Sequence, residues 1–185
     1  GSANKLLAEV EGRPMVARIA ERLLASKARP VIVVTGHERA RVEAALDGLD
    51  ITRVHNPDYA AGLSTSLSRG LAALPAEIDG ALVCLGDMPN VTPAVLDRLI
   101  AAFNPVEGRA ICLPTLRGKR GNPLLFARRF FAEMQEISGD IGARHLIGQY
   151  PEVVCEVAMD DLPDGEGILT DIDTPDALTR LRPAG

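Results

Sequence analysis

One carboxylate stands out because it directly follows a predicted buried strand. Residues 81–85 are all apolar, and the run ends at Gly86-Asp87-Met88-Pro89. Such a run bounded by turn residues is typical of a strand buried on both faces. Gly86, which has no side chain, would let a ligand come close to the backbone. Ligands of open α/β sheets bind beyond the carboxyl ends of strands. Asp87 is therefore a candidate ligand for a hard cation. The alternative is a turn aspartate that caps the next helix, although Thr92-Pro93 already supplies that cap.

A second carboxylate follows a later predicted strand at 168–172. Mg²⁺ prefers oxygen ligands and is typically shared between one or two carboxylates and substrate phosphates. Asp87 and Asp173 are candidates for one such ion if their strands lie close together. Asp171 is the alternative to Asp173, because alternation along a strand points both side chains to the same face. Asp173 also has a purely structural alternative as a helix N-cap, since Thr174-Pro175 opens a helix.

Two further segments carry groups that bind anions. Lys5 lies in a polar loop, where a lysine can act as a point charge on phosphates or remain solvated. Gly62, Ser64 and Ser66 lead into a predicted helix, whose free N–H groups and dipole favour an anion or the edge of a base. The alternative for these serines is a helix N-cap.

A basic, glycine-punctuated loop covers residues 117–123. Its cations Arg117, Lys119 and Arg120 could clamp a second phosphate, although solvated surface charge is the usual outcome for such a loop. Residues 139–144, with the sequence Gly-Asp-Ile-Gly-Ala-Arg, have the pattern of an anion nest at a helix start.

The residues that usually serve as nucleophiles form no recognisable set. The histidines at positions 37, 55 and 145 are scattered, and none pairs with a plausible serine or cysteine, which argues against a hydrolase triad. The cysteines are far apart, lack C-x-x-C spacing and fall in predicted strands, which favours buried thiols in a reducing cytosol. They are Cys84, Cys112 and Cys155.

The elements that would position these residues alternate between strand and helix. Strands are predicted at 31–34, 51–54, 81–85, 109–114, 124–126, 153–159 and 168–172. Helices are predicted from Pro14, at about 38–47, from the 62–67 loop to about 74, at 92–103, near 128–136, at 141–149 and after 174. This alternation indicates a doubly wound α/β sandwich with right-handed crossovers.

Length and composition agree with that class. The 185 residues suit one domain over 1–185, and the 46% of hydrophobic residues suffice for a full core. Aromatics are only 3%, so Val, Leu, Ile and Ala must form the core, which fits a parallel sheet covered by helices. The net charge of −5, without a basic aromatic patch, argues against a nucleic acid polymer as partner. No apolar run approaches the ~20 residues needed to span a membrane, and no signal peptide is visible.

Six segments in this order resemble the molybdenum-cofactor nucleotidyltransferases, and among them the cytidylyltransferase branch. They are Asn4-Lys5-Leu6-Leu7, Gly62-Leu63-Ser64-Thr65-Ser66-Leu67, Gly86-Asp87-Met88-Pro89, Arg120-Gly121-Asn122-Pro123, Gly139-Asp140-x-Gly142-Ala143-Arg144 and Asp171-Ile172-Asp173-Thr174-Pro175. The resemblance implies a Rossmann-like three-layer sandwich with helices on both faces of a mostly parallel sheet. It also implies a cytoplasmic, Mg²⁺-dependent enzyme that transfers a nucleotide, with CMP from CTP favoured, to a molybdopterin-type acceptor and releases pyrophosphate.

The resemblance also implies roles for single residues. Lys5 would neutralise the triphosphate, and Asp87 would hold Mg²⁺ with Asp173 as a second ligand. The nucleotide base and ribose would be lined by Gly62, Ser64 and Ser66. The phosphate side of molybdopterin would be faced by Arg120, Gly121, Asn122 and Arg144. In-line attack of one phosphate on another needs positioning and charge neutralisation rather than a protein nucleophile.

One departure from the family pattern concerns the start of the chain. Family members begin with a central strand and a glycine-rich phosphate-binding loop, whereas this sequence starts at what corresponds to the last glycine of that loop. We therefore expect residues before Gly1 in the natural protein, a gap between strand edges without them, and impaired catalysis by this chain alone. A molybdopterin-binding domain, fused or associated, is a possible partner.

Two alternatives to the cytidylyltransferase remain open. One is a nucleotidyltransferase for another base or acceptor, such as GTP or a sugar phosphate. The other is a module that binds a nucleotide or pterin without turnover.

Overall fold

The computed structural model describes residues 5–10, 12–136 and 143–169. The strands are β1 (Glu9–Val10), β2 (Arg13–Pro14), β3 (Ile32–Thr35), β4 (Thr52–His55), β5 (Gly80–Val83), β6 (Ile111–Leu116), β7 (Lys119–Arg120), β8 (Leu124–Ala127) and β9 (Val154–Ala158). The α-helices are α1 (Met15–Ala25), α2 (Arg39–Ala45), α3 (Leu63–Ala72), α4 (Pro93–Ala102), α5 (Phe131–Glu136) and α6 (His145–Gln149). Short 3₁₀ segments lie at Lys5–Leu7, Tyr59–Ala61, Pro105–Glu107, Arg128–Phe130, Pro151–Val153 and Gly165–Ile168.

Strand β6 is the centre of the larger sheet. One edge pairs antiparallel with β8 and, further along, with the short strand β7. The other edge pairs in parallel with β9. Because β8 is also antiparallel to β5, the strands β5, β6 and β9 all run in one direction. The prediction of a mostly parallel sheet is therefore confirmed, with β8 and the short strand β7 running in the opposite direction.

Strands β3 and β4 form a separate parallel pair, in which Thr35 lies beside His55. Within the described residues no strand joins β3 to β5, so the two sheets are separate. The prediction that β5 is buried on both faces is wrong. All four of its residues are only half-buried, whereas β6 and β8 are buried throughout. The reason is that, in the described part of the chain, β5 has a strand neighbour along one edge alone.

Helices cover both faces of the larger sheet. Alternate β6 side chains point to opposite sides, as strand geometry requires. Ile111 and Leu113 pack in a cluster with residues of α3, α5 and α6. Cys112 and Leu116 pack in another cluster with residues of α1 and α4. These three layers confirm the predicted Rossmann-like, doubly wound α/β sandwich.

Two helices hold the separate sheets side by side. In α1, Ile19 packs against the larger sheet, while Val16 packs in the cluster that includes Val33 of β3. In α3, Leu71 packs in the cluster under β8, and a Cβ placed on Gly70 would lie 3.2 Å from Val34 Cγ2 of β3. The two sheets are thus connected through the same two helices.

Three local features differ from the sequence-based expectation. A β1–β2 hairpin precedes α1, and the basic loop contains β7. The strand predicted at 168–172 is wrong at its start, since Gly165–Ile168 is a 3₁₀ segment. This turn packs closely on the loop before α4, because a Cβ on Gly167 would lie 2.0 Å from the Asn90 carbonyl oxygen. The rest of that strand and the predicted final helix lie outside the described residues.

Every helix in the described ranges is too short or too polar to cross a lipid bilayer.

Candidate active site at the carboxyl edge of the sheet

Asp87 lies in a turn just beyond β5, as predicted. The cap of α4 is supplied by Thr92, whose Oγ1 accepts a hydrogen bond from the Val95 N–H at 3.3 Å, and Pro93 is the first helical residue. Asp87 is therefore not needed as that cap, and its half-buried carboxylate stays a candidate cation ligand.

The segment that begins with Lys5 packs against the turn of Asp87. A Cβ placed on Gly86 would lie 2.7 Å from Leu6 Cδ2, so the leucine side chain occupies the space that a larger residue would need. Leu6 also packs in the cluster that includes Val33 of β3. The 3₁₀ segment Lys5–Leu7 therefore packs on the Gly86-Asp87 turn through Leu6, the residue next to Lys5.

The Asp87 turn is held in place by two other parts of the chain. Arg18 of α1 donates from Nε to the Pro89 carbonyl oxygen at 3.1 Å. Gly167 packs directly on the backbone of Asn90. Local sequence showed neither contact, because each joins residues more than seventy positions apart.

Three of the predicted acceptor-binding residues come together at the same edge. Val83 at the end of β5 pairs with Leu124 at the start of β8, so residues 121–123 lie at the edge where Asp87 lies. The Asn122 N–H donates to the Ile168 carbonyl oxygen at 3.0 Å. Arg144 donates from its guanidinium to the Gly121 carbonyl oxygen at 3.3 Å.

Arg120 has a different environment from these three. It lies in β7, where its Nε donates to Glu156 Oε2 at 2.7 Å. Arg117 turns the hairpin with a φ of 49°, and its guanidinium lies 3.8 Å from Glu166. Two of the three loop cations thus lie beside carboxylates, which favours surface charge over the phosphate clamp. A substrate role for Arg120 remains a prediction and requires release from Glu156.

The predicted nucleotide-binding segment forms the start of α3. Gly62 is the residue before the helix, so the serine N-cap alternative is wrong. Its φ of 123° and ψ of 167° form a conformation that L-residues rarely adopt. Ser64 is buried, and the Ser66 hydroxyl accepts a hydrogen bond from Asn56 Nδ2 at 2.9 Å.

Asn56, which the sequence analysis did not single out, is fully buried beside this segment. Asn56-Pro57 directly after a strand is a turn signal that could have drawn attention to it.

The cysteines are free thiols, and Cys112 is buried as predicted, whereas Cys84 and Cys155 are only half-buried. Burial raises the pKa of Cys84 and of Cys112 to about 12, with the neighbouring Cys155 adding to the effect at Cys112. Both thiols therefore stay protonated near neutral pH and are poor nucleophiles. Cys84 lies just beyond β5 rather than inside the strand, while the other two lie in β6 and β9.

Some predicted site residues lie outside the described residues. These are Asp173 with its alternative Asp171, residues 139–142, and the side chain of Lys5. Within the described ranges no three His, Cys, Asp or Glu side chains form a metal-binding group. What the described edge offers is the Asp87 carboxylate, the Arg144 guanidinium and the backbone of residues 121–122.

Residues 1–153 match the family model described as MobA-like NTP transferase domain. The chain is 31% identical over 150 residues to molybdenum cofactor cytidylyltransferase of Escherichia coli (strain K12), which covers 79% of this chain and 70% of that protein. It is 28% identical over 186 residues to nicotine blue oxidoreductase of Paenarthrobacter nicotinovorans, and this match covers 98% of this chain and 89% of that protein.

A solved structure is similar over nearly the whole chain. It is Rv0371c in complex with manganese, from Mycobacterium tuberculosis H37Rv. The TM-score is 0.77 at 27% identity, and the match covers 98% of this chain and 92% of that one.

Proposed function

The chain belongs to the MobA-like NTP transferase domain family and is a nucleotidyltransferase, and on that premise we propose that it transfers CMP from CTP to a molybdopterin-type acceptor with release of pyrophosphate. The similarity to molybdenum cofactor cytidylyltransferase supports both the choice of CTP and the acceptor. The three free cysteines agree with a reducing, cytoplasmic location.

The packing of Leu6 on Gly86 is the observation that carries this proposal. It puts the residue after Lys5 in contact with the residue before Asp87, at the sheet edge where α/β enzymes bind ligands. A lysine and a carboxylate on adjacent segments suit a metal-bound triphosphate, because the cation offsets phosphate charge and the carboxylate offers the oxygen that a hard divalent ion prefers.

In this proposal an oxygen of the acceptor phosphate attacks the α-phosphorus of CTP. The bond from the α-phosphorus to the oxygen that bridges to the β-phosphate breaks, and pyrophosphate leaves with that oxygen. Lys5 neutralises the triphosphate and Asp87 holds Mg²⁺. When bound, the metal ion would offset the negative charge of the phosphates. The manganese in the related structure supports a divalent ion, and Mg²⁺ is our choice among such ions.

Asp173 is proposed as the second metal ligand. Ile168 contacts Asn122, and its neighbour Gly167 contacts Asn90, so the last described turn lies between the two loops of the site. Five further residues can extend about 17 Å, which leaves Asp173 within reach of the Asp87 turn.

Substrate positioning is assigned to two parts of the edge. Gly62, Ser64 and Ser66 would bind the base and ribose at the start of α3. Gly121, Asn122 and Arg144, with Arg120 once it leaves Glu156, would bind the acceptor phosphate. The clustering of the first three of these acceptor residues supports this division.

The test is a pyrophosphate-release assay on the protein as its native cells produce it. Each reaction contains Mg²⁺, a molybdopterin acceptor and one of the nucleoside triphosphates. We expect the highest kcat/KM with CTP. Asp87→Ala should lower the rate at least about a hundredfold, as expected when charge stabilisation of the transition state is lost. Asp47→Ala, which removes an exposed carboxylate after α2, should leave the rate unchanged. Retained activity in Asp87→Ala would contradict the metal assignment, and preference for GTP would contradict the choice of CTP.

A redox activity is the second candidate, favoured by the similarity to nicotine blue oxidoreductase over 98% of this chain. Oxidation of NADH in the presence of a quinone-like dye, without pyrophosphate release from any triphosphate, would replace the transferase proposal by this one.

A further inference from the structure

We propose that Asn56 is a positioning residue that holds the start of α3 in the shape that binds the nucleotide. This inference rests on the proposed function of residues 62–66. Asn56 follows β4 and has 0% exposure, so its side chain does not contact a ligand in the site.

Every strong hydrogen-bonding group of the Asn56 side chain has a partner. Its Oδ1 accepts from the Asp58 N–H at 3.0 Å and so turns the chain after β4. Its Nδ2 donates to Thr65 Oγ1 at 2.8 Å and to Ser66 Oγ at 2.9 Å. A primary amide supplies one acceptor and two N–H donors, which the other short side chains do not combine.

The backbone of Asn56 connects this network to the sheet. Its N–H donates to the Thr35 carbonyl oxygen at 2.7 Å, which extends the β3–β4 pairing by one bond. The side-chain bonds therefore fasten the first turn of α3 to the ends of both parallel strands.

The network reaches the unusual backbone at Gly62 through Thr65. The Thr65 hydroxyl donates its proton to two carbonyl oxygens. Its Oγ1 lies 2.7 Å from the Gly62 oxygen and 3.1 Å from the Asp58 oxygen. Since its proton is used there, Thr65 Oγ1 can only accept from Asn56. Loss of the Asn56 donors would release Thr65 and Ser66 together and with them the orientation of Gly62.

The Asn56 side chain also fixes the hydrogen-bonding role of the Ser66 hydroxyl. With a lone pair of Ser66 Oγ engaged by Asn56, the hydroxyl proton is directed elsewhere. Ser66 is thus prepared to donate a hydrogen bond, which suits an acceptor atom such as a ring carbonyl or a ribose oxygen rather than an amino group.

The variant Asn56→Asp separates positioning from folding. A carboxylate keeps the acceptor for the Asp58 N–H but has no N–H donor for Thr65 and Ser66. We expect the KM for CTP to rise about tenfold with kcat within about twofold of the unaltered protein, as loss of ground-state binding requires. Thr65→Val should raise the KM for CTP by a similar factor. The double variant should raise KM by less than the product of the two single effects, because both substitutions remove the same bond between Asn56 and Thr65.

A matched control distinguishes this role from general destabilisation. Leu99→Ala opens a cavity in α4, on the other face of the sheet, and should lower Tm without changing the KM for CTP. Amide hydrogen exchange at residues 62–66 should become at least about tenfold faster in Asn56→Asp and remain unchanged in Leu99→Ala.

An unchanged KM or unchanged exchange in Asn56→Asp would overturn the positioning role alone. An unaltered protein that neither binds nor turns over CTP would overturn the proposed function and this inference with it.

Discussion

Cys84 shows how burial alone can remove a residue from the chemistry of a site. It lies three positions before Asp87, yet desolvation raises the pKa of its thiol from 9.0 to about 12. The folded state thus favours the neutral thiol. Its contribution to stability is complete below the pKa of the unfolded thiol and is lost as the pH rises from about 9 towards 12.

The thiols of Cys84 and Cys112 are therefore expected to react slowly with Ellman's reagent at pH 8 in the native protein. In guanidinium both should react at the rate of ordinary exposed thiols, because unfolding restores their usual pKa. The release of thionitrobenzoate, with Cys84→Ala and Cys112→Ala to assign the phases, measures this. Rapid native reaction of either thiol would contradict its assignment as an unreactive group.

At the scale of elements, the contact between Leu6 and Gly86 joins the first segment of the chain to the loop after β5. The side-chain end of a leucine can move, so its displacement should cost little stability. We nevertheless expect its displacement to shift the neighbouring Lys5.

Gly86→Ala is expected to lower the rate of nucleotide transfer at least about tenfold while changing Tm by only a few degrees. The added methyl group would displace Leu6 from its site 2.7 Å away. Adding Leu6→Ala to Gly86→Ala should restore part of the rate by making room. Steady-state kinetics and thermal unfolding of the single and double variants test this, and a double variant no faster than Gly86→Ala would count against it.

The turn at Gly165–Ile168 is tightly packed at Gly167, and here the neighbour is backbone. Gly167→Ala should lower the free energy of unfolding by about 1–3 kcal/mol. The added methyl group would meet the backbone carbonyl of Asn90, which cannot move aside as the end of a side chain can. Gly148→Ala in α6, where a Cβ meets nothing within 4 Å, should be neutral or stabilise by about 0.5–1 kcal/mol. Denaturant unfolding of both variants measures the difference, and equal effects would show that the turn relaxes.

At the scale of the whole molecule, burial is unequal across the sheets. Strands β6 and β8 are buried throughout, whereas β4 has two exposed and two half-buried residues and a single described strand neighbour. Regions with fewer buried contacts open at lower free energy.

Among the strands of four or more residues, we therefore expect amide hydrogens of β6 and β8 to exchange slowest and those of β4 fastest, with β5 between them. Exchange followed by mass spectrometry of overlapping peptides measures the order. Equal protection of β4 and β6 would indicate that the two sheets open as one cooperative unit.

The sequence by itself determined the elements and the position of Asp87, because these depend on local physical chemistry. Apolar periodicity places α1 and α4, Thr92-Pro93 caps α4 as predicted, and an apolar run that ends in a glycine turn locates β5 and the carboxylate beyond it.

Only the tertiary structure decided the direction of β8, the pairing of Arg120 with Glu156 and the network around Asn56. A buried apolar strand carries no mark of its direction, since both faces are covered whichever way it runs. Whether a cation faces a carboxylate or a substrate depends on which segments the fold brings beside it. The packing of Leu6 on Gly86, which joins residues eighty positions apart in sequence, is of the same kind.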